Sequence, residues 1–356
     1  MRVMILANND VGLYQFRREL IAELLKDHEL YISLPYGDMV DPLVKMGCRF
    51  IDTPMERRGM NPLKDLRLYG EYKRILRIIE PDLVITYTIK PNIYGGIACR
   101  LKKVPYAVNI TGLGTAFENN GLLRKMVTAM YREGLKRAKV VFFENSANRD
   151  LFVKEKIIRD NQAVLLSGAG VNLDHFTYTL YPQNDVFHFL FIGRVMQEKG
   201  INELFEAMKR LIAEGENCFL DVVGPFEENY KDKLEEFEKA GWLKYHGFQK
   251  DVRPFIKNCD CFVLPSWHEG MANTNLECAS SGRPIITSNV PGCREAVTEE
   301  SGFLCEPKNV DSLYQAMKKM IKANNREEMG KVGRKHMEDM FDKRKVVEST
   351  IREVLK

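Results

Sequence analysis

Residues 193–200 read GRVMQEKG, and their types suit an anion. Gly193 follows an apolar run and lets the backbone turn tightly. Arg194 offers a planar fork of donors and Lys199 a point charge, both just ahead of a helical pattern. Two cations at a strand end match a diphosphate; the plain alternative is a solvated turn with two surface cations. A second segment, 265–277 (PSWHEGMANTNLE), carries Glu269 and Glu277, seven residues apart in the intervening sequence. Pro265 stops a strand, Gly270 loosens the loop, and a helix is expected to start at Asn273 or Thr274. The amides of Met271, Ala272, Asn273 and Thr274 would then lie free at a helix start, a seat for an anion. Glu277, about one turn inside, can accept two hydroxyl hydrogen bonds of the kind a ribose supplies, while Glu269 on the loop is placed to meet a sugar. The alternative is one exposed glutamate on each element. In a third segment, 281–297 (SGRPIITSNVPGCREAV), Gly282 ends a helix, Pro284 precedes a strand and Gly292 permits a tight turn or a close backbone approach.

The front half repeats one theme more quietly, with polar groups at the ends of apolar runs. ANNDVGLYQFR, from residue 7, places Asn8, Asn9, Asp10 and Gly12 after the first run. No G-x-G-x-x-G is present, so this is a poor nucleotide fingerprint on its own. TYTIKPNIYGG (86–96) offers Lys90 and Asn92 around Pro91, and ITGLGTAF (110–117) offers Thr111, Gly112 and Gly114. FFENSA (142–147) offers Glu144 and Asn145, and SGAGVN (167–172) closes the series. One such turn is ordinary loop; five at the strand ends of one sheet make a lining for a cleft.

The elements that must hold these groups alternate between short apolar runs and helical patterns. Runs at 3–7, 30–34, 82–87, 107–110, 140–143 and 163–166 are separated by helical spacings, notably at 13–26, 63–79 and 122–137. Strands this apolar indicate a parallel sheet covered on both faces. Residues 173–186 lack periodicity and read as a linker. The alternation then restarts, with strands at 187–192, 219–223, around Tyr245, 261–264 and 285–287 and helices at 200–213, at 227–239 and from Asn273. The expectation is an α/β chain of two doubly wound, Rossmann-like domains, 1–172 and 187–342, with ligands at the carboxyl ends of the strands and the active site in the cleft between the domains. A last helical run, 343–355, has no destination that pattern alone supplies.

At 356 residues the chain is long enough for two cores. Apolar residues make up 45%, and no run of about 18 apolar residues exists to span a membrane. The N-terminal run is too short for a signal peptide, so a cytosolic protein is expected. Eight cysteines without C-x-x-C, and six histidines at 28, 175, 188, 246, 268 and 336 without ligand spacing, predict buried thiols and no metal site. Residues 1–172 hold 27 Lys+Arg against 19 Asp+Glu, a net of +8, and the rest holds 26 against 30, a net of −4. A basic front half points to anions, either phosphates or an anionic membrane surface. Residues 122–139 (LLRKMVTAMYREGLKRAK) set Arg124, Lys125, Arg132, Lys136, Arg137 and Lys139 beside an apolar side of Leu122, Leu123, Met126, Met130 and Leu135. That is either a helix lying on lipid headgroups or a core-packing helix with a solvated basic face. The modest charge and the lack of a known module argue against nucleic acid.

Taken together, GRVMQEKG, Val222 to Gly224, CDCFVLPSWHEGMANTNLECASSGRPIITSNVPGCREAV and SGFLCEP resemble the donor half of family 4 glycosyltransferases over most of residues 187–310. The resemblance implies a GT-B fold, retained anomeric configuration, no cofactor and no obligatory metal, in keeping with the lack of an Asp-x-Asp. It assigns Arg194 and Lys199 to clamp the diphosphate, Glu277 to the ribose and Glu269 to the donor sugar. Met271, Ala272, Asn273 and Thr274 fall where backbone amides meet the donor, with Gly193 and, more weakly, Gly12 beside them. It also implies that the C-terminal helix, 343–356, packs back on the first domain. TYTIKPNIYGG and NITGLG are similar to bacterial members that extend lipid-linked saccharides or surface polysaccharide. That implies a nucleotide-sugar donor with UDP as the base by family habit, a polyprenyl-diphosphate-linked sugar acceptor near Lys90, Asn92, Thr111 and Glu144, and a peripheral place on the inner membrane face. Two rivals share the nucleotide seat: a GT-B epimerase acting on UDP-sugars, and a binding protein without turnover.

Overall fold

Val3, Met4, Ile5 and Leu6 are all fully buried, as a strand covered on both faces requires. The computed structural model describes residues 1–56, 61–113, 117 and 121–356. Two units separate cleanly, one of Met1–Ala169 with Lys343–Lys356, the other of Gly170–Asp342.

In the first unit β1 (Arg2–Leu6), α1 (Asp10–Leu24), β2 (Glu29–Leu34), α2 (Val40–Lys45), β3 (Arg49–Asp52), α3 (Pro62–Ile79) and β4 (Leu83–Tyr87) follow one another. A π-helical turn at Pro91–Gly95 leads into α4 (Gly96–Lys102). Then come β5 (Tyr106–Ile110), α5 (Leu122–Leu135), β6 (Val140–Phe143), α6 (Ser146–Lys154) and β7 (Ala163–Leu165). The sheet runs β3-β2-β1-β4-β5-β6-β7, every pairing parallel. Strand order reverses between β1 and β4, and the carboxyl ends there form the crevice where such sheets take ligands.

The second unit holds β8 (Phe187–Ile192), α7 (Ile201–Ala213), β9 (Cys218–Val223), α8 (Lys231–Lys239), β10 (Leu243–Tyr245), α9 (Arg253–Asn258) and β11 (Cys261–Leu264). It continues with α10 (Asn273–Ser280), β12 (Ile285–Ser288), β13 (Gly302–Cys305), α11 (Val310–Lys322) and α12 (Arg326–Met340). The sheet order is β10-β9-β8-β11-β12-β13, again all parallel, with its reversal between β8 and β11. The last helix, α13 (Lys343–Leu355), belongs to the first unit. It lies on α1 with Lys343 Nζ 3.4 Å from Glu19 Oε2, and Lys139 Nζ donates to the Val354 carbonyl at 3.2 Å. Val346 and Val354 join that unit's core.

Several boundaries differ from those the sequence predicts, for local reasons. Residues 173–186 lie within the second unit instead of hanging between domains. Arg283 is fully buried there and donates to the carbonyls of Thr179, Leu180, Ile256 and Lys257, and Tyr181 donates to the Asp260 carbonyl. The helix expected from 227 starts at Lys231, because the amides of Glu227 and Glu228 turn back to the Val195 carbonyl. The helix expected from 13 starts at Asp10, capped by the Asn9 side chain. All eight cysteines are buried and free. Burial pushes the Cys48 thiol up to about 12, so it is an unreactive thiol.

Candidate functional site

The switch point of the second sheet gathers the first two sequence-marked segments. After β8, the Gly193 amide donates to the Val223 carbonyl at 2.9 Å and the chain turns through Arg194. Gln197–Lys199 form a 3-10 turn and Gly200 caps α7 in the left-handed region at φ +71°. A Cβ at Gly200 would stand 2.7 Å from the Pro265 carbonyl carbon, so only glycine lets the start of α7 rest on the end of β11. That contact brings the two segments together. Ser266 Oγ and the Trp267 amide both donate to the Glu198 carbonyl, at 3.3 and 2.9 Å. Lys199 Nζ pairs with Glu269 Oε1, the two side chains 17% and 14% exposed. Arg194 is looser: Nη1 lies 3.4 Å from Glu227 Oε2 and the side chain is 39% exposed. An exposed pair of this kind is worth about 1 kcal/mol at most, so its fork turns to an incoming anion at little cost.

The third segment closes over the helix start. Gly292 has φ +86°, and a Cβ there would lie 2.6 Å from the Gly270 oxygen and 2.7 Å from that of Glu269. Its carbonyl accepts the Ala272 amide at 2.7 Å. This corrects one expectation: the Ala272 amide is spent on the turn that packs against it. The amides of Met271, Asn273 and Thr274 donate to no acceptor among the described residues. They sit at the positive end of α10, where an anion is favoured. Asn275 Nδ2 bonds Thr287 Oγ1 at 3.1 Å, tying α10 to β12. Glu277 is the fifth residue of α10 and half-buried. His268 stays on the loop, half-exposed, with Nε2 3.7 Å from Glu198 Oε2. A half-buried cation paired with a carboxylate, a swinging guanidinium and three unengaged amides are suited to receive a polyanion and to hold negative charge that develops on it.

In the first unit the marked residues are mostly consumed by the fold. The Gly12 amide donates to Asn9 Oδ1 at 2.6 Å, so it lies in the capped first turn of α1 and offers no open amide to a phosphate. Asn92 is 1% exposed; it accepts from Thr86 Oγ1 at 2.7 Å and donates to the Asn109 carbonyl at 2.8 Å. It is a staple between β4, the π-turn and β5, and presents nothing to an acceptor. Glu144 is buried and accepts from Arg17 Nη2 at 2.6 Å. Lys90 Nζ lies 2.8 Å from Asp65 Oδ1, both largely buried, and Tyr94 donates to the other Asp65 oxygen at 3.1 Å. Asn145 caps α6 through the Asn148 amide. Thr111 remains half-buried just past β5, and Gly114 lies outside the described residues.

The amphipathic helix also differs from its expected form. Leu135 is buried with Val127, Tyr131 and Gly134 on the core side of α5. Leu122, Leu123 and Met126 instead point outward at its first turns, Leu122 being 83% exposed. Arg124 pairs with Glu155, while Lys125 is exposed beside the leucines. Among the described residues no helix is long and apolar enough to cross a membrane.

Residues 181–336 match the family model of glycosyl transferases group 1, and residues 2–145 match that of glycosyl transferase 4-like proteins. The chain belongs to the group 1, family 4-like glycosyltransferases. It is 26% identical over 342 residues to the N,N'-diacetylbacillosaminyl-diphospho-undecaprenol alpha-1,3-N-acetylgalactosaminyltransferase of Campylobacter jejuni, covering 90% of this chain and 89% of that one. It is 27% identical over 324 residues to the UDP-Gal:alpha-D-GlcNAc-diphosphoundecaprenol alpha-1,3-galactosyltransferase of Escherichia coli, covering 83% and 81%. Anabaena HepE, solved with UDP-glucose, superposes with a TM-score of 0.80 at 16% identity, covering 100% of this chain and 99% of that one. Two parallel Rossmann-like sheets place this glycosyltransferase in the GT-B class.

Sequence reasoning missed two partners of the candidate site's residues. Glu227 answers Arg194, and Glu203 accepts from the Trp267 indole. Neither sits at a motif spacing, and each comes within reach of its partner only once the sheet has formed.

Proposed function

We propose that this glycosyltransferase moves a hexose-type sugar from a UDP-sugar to a saccharide on a polyprenyl diphosphate, with retention and without a required metal. The observation that carries the reading is the grouping of Lys199, Glu269, Arg194 and the three unengaged amides at the β8/β11 switch point. The names of both curated relatives contain a diphospho-undecaprenol-linked sugar, which supports the acceptor class.

In this reading the nucleotide lies along the second unit. Glu277 takes the ribose hydroxyls, and the diphosphate rests on Arg194, Lys199 and the amides of Met271, Asn273 and Thr274. As the anomeric carbon–oxygen bond breaks, the electron pair leaves with the diphosphate. The same cations and amides bind that growing charge more tightly than they bind the ground state. Glu269, beside Lys199, hydrogen-bonds the donor sugar. The acceptor hydroxyl attacks the face the leaving group has vacated, and its proton passes to the departing phosphate oxygen. No second carboxylate is needed as acid, in contrast to a glycosidase. The acceptor belongs to the first unit, where Thr111 stays half-buried just past β5. Leu122, Leu123 and Met126 with Lys125 supply a weak foothold on anionic lipid, where each cation contributes about 1 kcal/mol.

The test is transfer from a panel of UDP-sugars to short-chain polyprenyl-diphosphate saccharides, read by mass and by the anomeric proton coupling of the product. A gain of one sugar in unchanged anomeric configuration is expected. An epimerised UDP-sugar without acceptor, or UDP binding with no transfer across the panel, would replace the reading with one of its rivals.

A further inference from the structure

Trp267 and Glu203 sit one layer behind the proposed donor seat. Glu203 is in the first turn of α7 and buried. Its Oε1 accepts from Trp267 Nε1 at 3.0 Å, and its Oε2 has no hydrogen-bond partner among the described residues. A buried carboxylate with one oxygen unsatisfied is costly, and a fold that only needed a helix start would not require it. The other face of the contact is set as well: Lys308 Nζ lies 4.2 Å from the centre of the Trp267 ring. The indole is therefore fixed in angle by a hydrogen bond and in height by a cation.

What this fixes is the loop that carries Glu269. Residues 266 and 267 are sewn to the Glu198 carbonyl, the residue before Lys199. Those bonds set the loop's backbone, with Ser266 Oγ also 3.3 Å from the His268 carbonyl and His268 Nε2 3.7 Å from Glu198 Oε2, and the Glu203–Trp267 bond adds the side-chain tie that sets the tilt of the stretch leading to Glu269. The start of α10 is tied separately, through the Ala272 amide to Gly292 and Asn275 to Thr287. Loosening the indole should shift Glu269 and leave the amides of Met271, Asn273 and Thr274 where they are.

We propose that Glu203 is a positioning residue, acting through the Trp267 indole to hold Glu269 against the donor sugar. The inference rests on the donor-site reading above. It predicts a split that a purely structural role would not produce: recognition of the sugar suffers while recognition of the nucleotide diphosphate does not.

The experiment compares Glu203→Leu, Glu203→Gln and Trp267→Phe with the wild-type chain. Calorimetry measures UDP binding, and steady-state kinetics with the accepted UDP-sugar measures turnover. Glu203→Leu and Trp267→Phe should each lower kcat/KM by about tenfold, the loss of one oriented hydrogen bond. UDP affinity should stay within about twofold in both, since neither side chain reaches the diphosphate seat. Glutamine still accepts from the indole, so Glu203→Gln should retain most activity, whereas a role in favouring the negative charge at the start of α7 would be lost with it. Combining Glu203→Leu with Trp267→Phe should cost no more than either alone, because both remove the same bond. Wild-type turnover in Trp267→Phe, or a parallel loss of UDP affinity and turnover in all variants, overturns the proposal while leaving the donor site standing. Failure of the wild-type chain to bind UDP overturns the donor site and this inference together.

Discussion

The two sheets share one plan and use their strand ends differently. At the strand ends of the first sheet the polar residues face inward to the fold: Asn9 caps α1, Asn92 staples β4 to β5, and Arg17 neutralises Glu144. At the β8/β11 switch point the polar residues are left for something else: three amides unengaged, Arg194 half-exposed, and Lys199 paired to a carboxylate on a neighbouring loop. Residue type at a strand end does not by itself mark a site. What marks it is whether the hydrogen-bonding capacity is already satisfied.

That contrast can be broken from either side. The largest expected effect is in the second unit: Lys199→Ala should lower kcat/KM by a factor of about 100 to 1000, as for loss of a fixed group facing transition-state charge, with the thermal midpoint changed far less. Kinetics with the accepted UDP-sugar decide it, and near-normal turnover would remove Lys199 from the clamp. In the first unit the sign of the comparison reverses. Asn92→Ala strands the Thr86 hydroxyl and the Asn109 carbonyl and should cost about 1–3 kcal/mol of stability in a denaturant titration. The KM for the donor should be unchanged. Asn9→Ala should cost about 1 kcal/mol, the usual value of an N-cap, again without touching donor binding. A large rise in donor KM from Asn9→Ala would mean that the capped turn after β1 binds phosphate after all.

Smaller still is a pH effect from a cluster remote from either switch point. His188 on β8 and His246 after β10 both hydrogen-bond Asp221 on β9, at 3.0 and 2.7 Å. The hydrogen bond to Asp221 holds the His188 ring above its ordinary value against the pull of burial. Burial would lift the Asp221 carboxyl, but the two histidines outweigh it and hold it below the usual carboxylate range. A raised histidine stabilises fully below its unfolded value, and that stability is lost as pH rises through the folded value. A lowered carboxylate stabilises above its unfolded value, and that stability is lost as pH falls through the folded one. The stability gap between the wild-type chain and His188→Ala should therefore be widest in mildly acidic solution and narrow as pH rises past neutrality. Thermal melts across pH measure it, and a gap that grows with pH contradicts the pairing. Chelation with EDTA should leave transfer unchanged if no metal bridges the diphosphate; activity lost to EDTA and restored by a divalent cation would refute that.

The sequence is informative where apolar runs are short and buried on both faces, as at 3–7 or 187–192, since each reads as a strand and their alternation with helices reads as two parallel sheets. The second unit's candidate site is legible because Gly193, Arg194, Lys199 and Glu269 lie in dense local motifs that the fold brings together. The sequence says little about β3, with only Phe50 and Ile51 apolar, or about how residues 173–186 are held within the second unit, where the decisive residue, Arg283, looks like a surface cation until its donated bonds are seen. It misjudges Ala272 and Asn92 because partner choice is a tertiary property: the same amide is open or closed according to whether a distant turn such as Gly292 lies against it. The apolar side of α5 misleads likewise, since spacing finds an amphipathic helix without saying which of its leucines face the core.

The most direct test of the second unit as the nucleotide-diphosphate seat is a calorimetric titration of UDP into the wild-type chain, Arg194→Ala and Lys199→Ala. Saturable one-site binding by the wild-type chain is expected, weakened by about tenfold or more in each variant, the loss of a charge-assisted hydrogen bond. Equal affinity in all three proteins would contradict the account.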